Sequence, residues 1–202
     1  MKQISHIFSG VFSPLLVPTY AMILAVSLTI LSYLPLSAKI TVCAATFFIT
    51  CLLPLAAIFL LLKMKVVSDP GLNQRSERLI PYVITILCYL GCALYLYRAS
   101  APGWLTGFMI GGAAAAVVSL VVNFWWKISA HAAALGGLVA MMFRVNYVGV
   151  GVHDMLLWTI LAVIITGCVG TSRIYLGRHT LWQVTAGAFN GFVCVYLISG
   201  LM

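Results

Sequence analysis

Acidic residues are almost missing from this chain: Asp69, Glu77 and Asp154 are the only three among 202 residues. Charge of either sign is scarce, at 7% of residues against 63% hydrophobic. A soluble domain of this size could not clothe itself in polar groups from that supply. The mean hydropathy of +1.13 places the chain in a bilayer as an integral membrane protein. So few carboxylates also exclude an acidic cluster able to hold Mg²⁺ beside a phosphate, and no metal or other cofactor is expected. The six cysteines lie inside apolar runs, form no C-x-x-C, and have no His or acid at ligand spacing. They are read as buried thiols with neither disulfide nor metal chemistry. Long alternation of apolar and polar residues is lacking too, which excludes a membrane β-barrel and leaves helices. No repeat, linker or low-complexity tract divides residues 1–202, so a single membrane-embedded domain is expected. The N-terminus does not read as a cleavable signal, because its apolar stretch is too long and ends in a turn around Pro35.

What the chain has in abundance is apolar run. Seven segments stand out, at 11–34, 40–62, 79–97, 104–126, 129–147, 154–171 and 179–201. They predict an all-α polytopic transmembrane bundle of six or seven spanning helices. Pro14 and Pro18 predict a kinked or re-entrant entry to the first. In the fifth, Arg144 and Asn146 leave about 21 Å of uninterrupted apolar helix, short of a core of about 30 Å, unless Arg144 snorkels or faces inward. Gly107 with Gly111, and Gly187 with Gly191, form G-x-x-x-G pairs suited to close helix packing. Trp104, Trp125, Trp126 and Trp182 fall near segment ends, where an interfacial belt would put them.

The eleven basic residues are unevenly shared. Alternating the segments puts Lys2, Lys63, Lys65, Arg75, Arg78, Lys127, Arg173 and Arg178 on one side, and Lys39, Arg98 and Arg144 on the other. By the positive-inside rule the first side is cytoplasmic. Once the five that an anion site would use are set aside, the balance is three to three and the count carries no orientation.

Those five belong to three polar clusters. In "RSERLIP" (75–81), Arg75 and Arg78 precede the third segment and can share a helix face. In "WWKISAH" (125–131), Lys127 and His131 flank Ser129, which is placed to cap the fifth helix beside its free N–H groups. In "TSRIYLGRHTLWQ" (171–183), Arg173 and Arg178 lead to His179 at the start of the seventh helix. Gln183 lies one turn on, where its amide oxygen can fix the imidazole tautomer. Several cations, helix N-termini and two histidines are the parts of phosphoryl transfer through a phosphohistidine: one His attacks phosphorus, cations spread its charge, and the other His protonates the leaving oxygen.

At these residues the sequence resembles the type 2 phosphatidic acid phosphatase family, whose motifs are K-x6-R-P, P-S-G-H and S-R-x5-H-x3-D. Ser172-Arg173, five residues and then His179 match the third; Ile128–His131 resembles the second, with Ala130 in place of Gly; Arg75–Pro81 resembles the first loosely. The resemblance implies a divergent bacterial member in the cytoplasmic (inner) membrane. Its substrate would be a phosphate or diphosphate lipid, such as a polyprenyl diphosphate or a phosphatidate. No nucleic-acid partner is expected. It further implies His179 as nucleophile, His131 as acid, and Arg173 with Arg75 or Arg78 on the phosphate, with Ser129 completing the cradle. Lys127, outside the motif, adds positive potential. Gln183 replaces the family's Asp, which implies slower turnover. An alternative from the same residues is a non-catalytic phospholipid-binding or lipid-transport protein that keeps the pocket.

Overall fold

In the computed structural model the described residues are 2–69 and 75–202, of which Ser76 is described by its backbone only. They form helices α1 (Lys2–Val11), α2 (Val17–Leu28), α3 (Leu36–Lys63), α4 (Leu79–Arg98), α5 (Gly103–Asn123), α6 (Ala130–Val148), α7 (Met155–Tyr175) and α8 (Leu181–Leu201). Helix α3 carries a π-helical stretch over Phe48–Leu52, and 3₁₀ turns occupy Ile30–Tyr33 and Ser76–Arg78. The only strand-like pairing among the described residues is a single bridge between Thr29 and Gly151.

Five helices, α3, α4, α5, α7 and α8, are long and apolar enough to cross a membrane. At about 1.5 Å per residue, a helix of about 20 residues matches the hydrocarbon thickness. Six or seven such helices were expected, and two segments account for the difference. The first segment is not one span. Helix α1 ends at Val11, the chain turns through Ser13–Leu16 around Pro14, and α2 restarts at Val17 with Pro18 in its first turn. Proline cannot donate to a helix interior, which is why the break falls there. With 12 residues, α2 is too short to span, and Val17, Ala21, Met22 and Ala25 bury it in the core. The fifth segment does form a helix, α6, of 19 residues, but His131, Arg144 and Asn146 dilute its hydropathy, while Leu135, Ala140, Met141, Met142 and Val145 are almost fully buried in the bundle. Arg144 turns inward. It donates to the Tyr196 carbonyl at 2.8 Å and lies over the Tyr196 ring at 4.6 Å, a cation–π contact at the end of α8.

Helix α8 packs most extensively on α6, and next on α5. Both G-x-x-x-G pairs serve these contacts. A methyl at Gly111 would lie 2.6 Å from the Val195 Cα, one at Gly187 would lie 2.5 Å from the Ser129 carbonyl oxygen, and one at Gly191 would overlap the Ala133 carbonyl. Asn190 also donates to the Ala115 carbonyl at 2.9 Å, tying α8 to α5. Because backbone, and not a side-chain tip, opposes Gly191, the Gly191→Leu protein should lose about 1–3 kcal/mol or more. The check is its melting temperature in detergent, set against Gly91→Leu, where a Cβ meets nothing within 4 Å.

Two further expectations are corrected. Trp125 and Trp182 are exposed as belt residues should be, but Trp104 is buried in the core. Cys51, Cys88 and Cys92 are buried thiols, whereas Cys43 and Cys194 are only partly covered and Cys168 is exposed, since α7 turns that side outward.

Candidate anion-binding site at the helix ends

The spacing from Arg173 to His179 is set by how α7 stops. Gly177 adopts φ +65°, a left-handed conformation that glycine takes without a Cβ penalty. Its N–H bonds the Ile174 carbonyl at 2.9 Å, and the next N–H, of Arg178, bonds the Arg173 carbonyl at 3.0 Å. These two bonds make a Schellman terminus, which brings Arg173, Arg178 and His179 into one tight loop. Helix α8 begins two residues later with a capping box. The Gln183 N–H donates to the Thr180 hydroxyl at 3.4 Å, and the Gln183 Oε1 accepts from the Thr180 N–H at 3.2 Å.

That box also orients the nucleophile candidate. Gln183 Oε1 is 3.2 Å from His179 Nδ1. The Thr180 N–H can only donate, so the amide atom facing it is oxygen, and Nδ1 must then carry the proton. Nε2 keeps its lone pair on the opposite edge of the ring. His179 is buried, and its pKa is lowered to about 3, first by burial and then by the charges of Arg173, Lys127 and Arg78, with the Gln183 bond opposing. The imidazole is neutral at physiological pH, the form that can attack.

Helix α6 starts beside α8. Its cap is Ser129, whose hydroxyl accepts from the Ala132 N–H at 3.4 Å, and the Ser129 N–H donates to the Gln183 carbonyl at 3.2 Å. Ala130 opens the helix with a right-handed backbone that an alanine adopts without strain. His131 stands in the first turn. Arg78 arrives from the 3₁₀ turn, is buried beside Tyr82, and donates to the Ile128 carbonyl at 3.4 Å.

Arg78, His131, Arg173, Arg178 and His179 together line one cavity of about 410 Å³. No aspartate or glutamate is among its described lining residues. Nearby Lys127 has its pKa lowered by burial and by Arg78, Arg173 and Arg178, which shows how strongly positive the region is. Among the described residues no three metal-ligating side chains gather, and what the cavity offers is donors. Guanidiniums beside two helix N-termini can bind an anion of phosphate size and spread its charge.

Four sequence candidates lie behind the wall or beside it. Ser129 and Gln183 position α6 and His179 from behind. Lys127 is not among the described lining residues and is coupled to the cavity's arginines by charge. Of the pair Arg75 and Arg78, only Arg78 is among the described residues that line the cavity, and Arg75 lies beside it. Arg75 is exposed, donates to the Trp125 carbonyl at 2.7 Å, and accepts at its own carbonyl from Asn123 at 2.9 Å. Arg75 caps the 3₁₀ turn, its carbonyl also accepting from the Arg78 N–H at 3.3 Å, and the two side chains reach different carbonyls, those of Trp125 and Ile128. Arg75 pins the loop to the end of α5 and leaves Arg78 to reach the cavity.

Sequence reasoning missed Ser9. From α1 it lines the cavity, accepting from Arg173 Nη1 at 2.7 Å, with its carbonyl 3.1 Å from His131 Nε2. No spacing could have found it, since 164 residues separate Ser9 from Arg173. No protein-family model, curated protein or solved structure matches the chain.

Proposed function

We propose that the protein is a metal-independent lipid phosphatase or phosphotransferase, resembling the type 2 phosphatidic acid phosphatases, in a bacterial inner membrane. The observation that carries this reading is the meeting of Arg78, Arg173, Arg178, His131 and His179, from three distant stretches of sequence, around one cavity with no acid among its described lining residues. The headgroup of a polyprenyl diphosphate, a phosphatidate or a similar lipid would enter it from the membrane boundary, with the chain left in the bilayer.

The lone pair on His179 Nε2 attacks phosphorus, and the bond from phosphorus to the leaving oxygen breaks with its electrons on that oxygen. Arg78, Arg173 and Arg178 hold the equatorial oxygens as charge shifts onto them. The negative charge of the bound phosphate stabilises a protonated His131, which gives its proton to the leaving oxygen. Water then attacks the phosphohistidine, the N–P bond breaks with its electrons returning to Nε2, and a water proton goes back to His131. The sum is lipid phosphate plus water to lipid alcohol (or lipid monophosphate) plus inorganic phosphate. An acceptor alcohol in place of water gives phosphotransfer.

The test is phosphate release by purified protein in detergent with EDTA, from a polyprenyl diphosphate and a phosphatidate. Acid-quenched turnover mixtures are examined in parallel for an acid-labile phosphoryl-protein. Release together with that adduct is the expected result. Lipid affinity without release or adduct would overturn the catalytic reading. It would favour the second one, a phospholipid-binding or transport protein, for which the uncharged Gln183 behind His179 is the specific observation.

A further inference from the structure

Helix α1 is amphipathic. Ile4, Ile7, Phe8 and Val11 form one stripe at helical spacing and are exposed at 60%, 63%, 37% and 47%. On the opposite side Ser5 is half-buried and Ser9 is covered, while Lys2, Gln3 and His6 stay exposed. Ser9 is the buried residue of this helix, and His6 and Ser9 both line the cavity. The helix has one extensive helical neighbour, α7. At its C-terminus it is held by Tyr20, whose hydroxyl donates to the Val11 carbonyl at 2.8 Å. Beyond that lies the turn around Ser13 and Pro14.

Ser9 engages two groups that the proposed reaction needs. Its hydroxyl oxygen takes Arg173 Nη1 at 2.7 Å, where a phosphate oxygen would sit. Its carbonyl lies 3.1 Å from His131 Nε2, where the leaving oxygen would sit. Arg173 Nε is buried with no hydrogen-bond partner, so the serine satisfies this guanidinium less fully than a phosphate with several acceptor oxygens could.

We propose that α1 is a self-blocking lid: Ser9 plugs the anion site, and the apolar stripe lies in the headgroup region of the bilayer, so that lipid entry and lid release are one exchange. This rests on the anion site of the proposed function but not on its chemistry. An amphipathic helix beside a spanning bundle is suited to lie in that region. A neutral hydroxyl is a weaker partner for the Arg173 guanidinium than a phosphate dianion, so the exchange favours substrate once it reaches the mouth.

The proposal predicts opposite signs for two substitutions at one position. In Ser9→Ala, full-length protein in detergent should bind inorganic phosphate about five- to tenfold more tightly by calorimetry, since one competing hydrogen bond to a charged group is gone. In Ser9→Asp the carboxylate should clamp Arg173 and weaken phosphate binding at least about tenfold. Weaker or unchanged binding in Ser9→Ala would make Ser9 part of the cradle, or a packing residue, and overturn the lid. Failure of wild type and both variants to bind phosphate would overturn it as well. The predicted pattern of binding without any lipid hydrolysis would sustain the lid and overturn only the catalytic reading.

Discussion

His179→Ala protein is expected to release no phosphate from any lipid, and Gln183→Glu protein to release it faster than wild type. The first follows from the role proposed for Nε2: without it no phosphoryl-enzyme would form, and the remaining guanidiniums would bind without reacting. The second follows from the position of Gln183 Oε1, 3.2 Å from His179 Nδ1. An amide oxygen at that place orients the ring but does not balance the charge that grows on it as Nε2 bonds to phosphorus. Glutamate keeps the side-chain length and the capping contact to Thr180, adds the missing charge, and suits the first turn of α8. Removing a carboxylate from behind a catalytic imidazole in a Ser-His-Asp site costs about 10⁴ in kcat. That imidazole acts as a base, so about 10⁴ is a ceiling for the gain here. The pH profile gives an independent readout. His179 titrates at about 3 in wild type, so kcat/KM should show no acid limb from it down to about pH 4. A carboxylate beside Nδ1 favours the protonated ring and raises that pKa. The acid limb of Gln183→Glu should therefore move to higher pH, even as its plateau rises.

The hydropathy of the chain made the helical class and most helix boundaries legible, because a bilayer demands long apolar runs and internally satisfied backbone. The Ser129 cap, the Gln183 contact to His179 and the break at Pro14 were legible for a different reason: each is decided within a few residues. What the sequence did not carry was partner choice. Arg75 and Arg78 differ by three positions and not at all in chemistry, yet the carbonyl of Trp125 and the side chain of Asn123 claim the first and leave the second for the cavity. The inward turn of Arg144 depends on Tyr196, 52 residues away. Ser9 sits in a segment whose exposed stripe dominates the pattern, and its side-chain contacts, to Arg173 and His131, lie more than 120 residues away.

This difference between the arginines makes the last prediction. Arg173→Ala should lower kcat/KM for phosphate release by about 10²–10³, the scale seen when one donor is removed from a preorganised anion hole. Arg75→Ala should change it by no more than a few-fold, because that side chain meets a carbonyl at the surface and no cavity atom. Arg173→Lys separates charge from geometry. Arg173 lines the cavity with a planar fork, one arm of which now holds Ser9. An ammonium restores the positive charge but not two parallel donors. Arg173→Lys should therefore recover only part of the loss, and recover more for phosphate affinity than for turnover, because the equatorial oxygens draw in charge mainly at the transition state. Equal recovery in both would mean that Arg173 contributes only bulk potential.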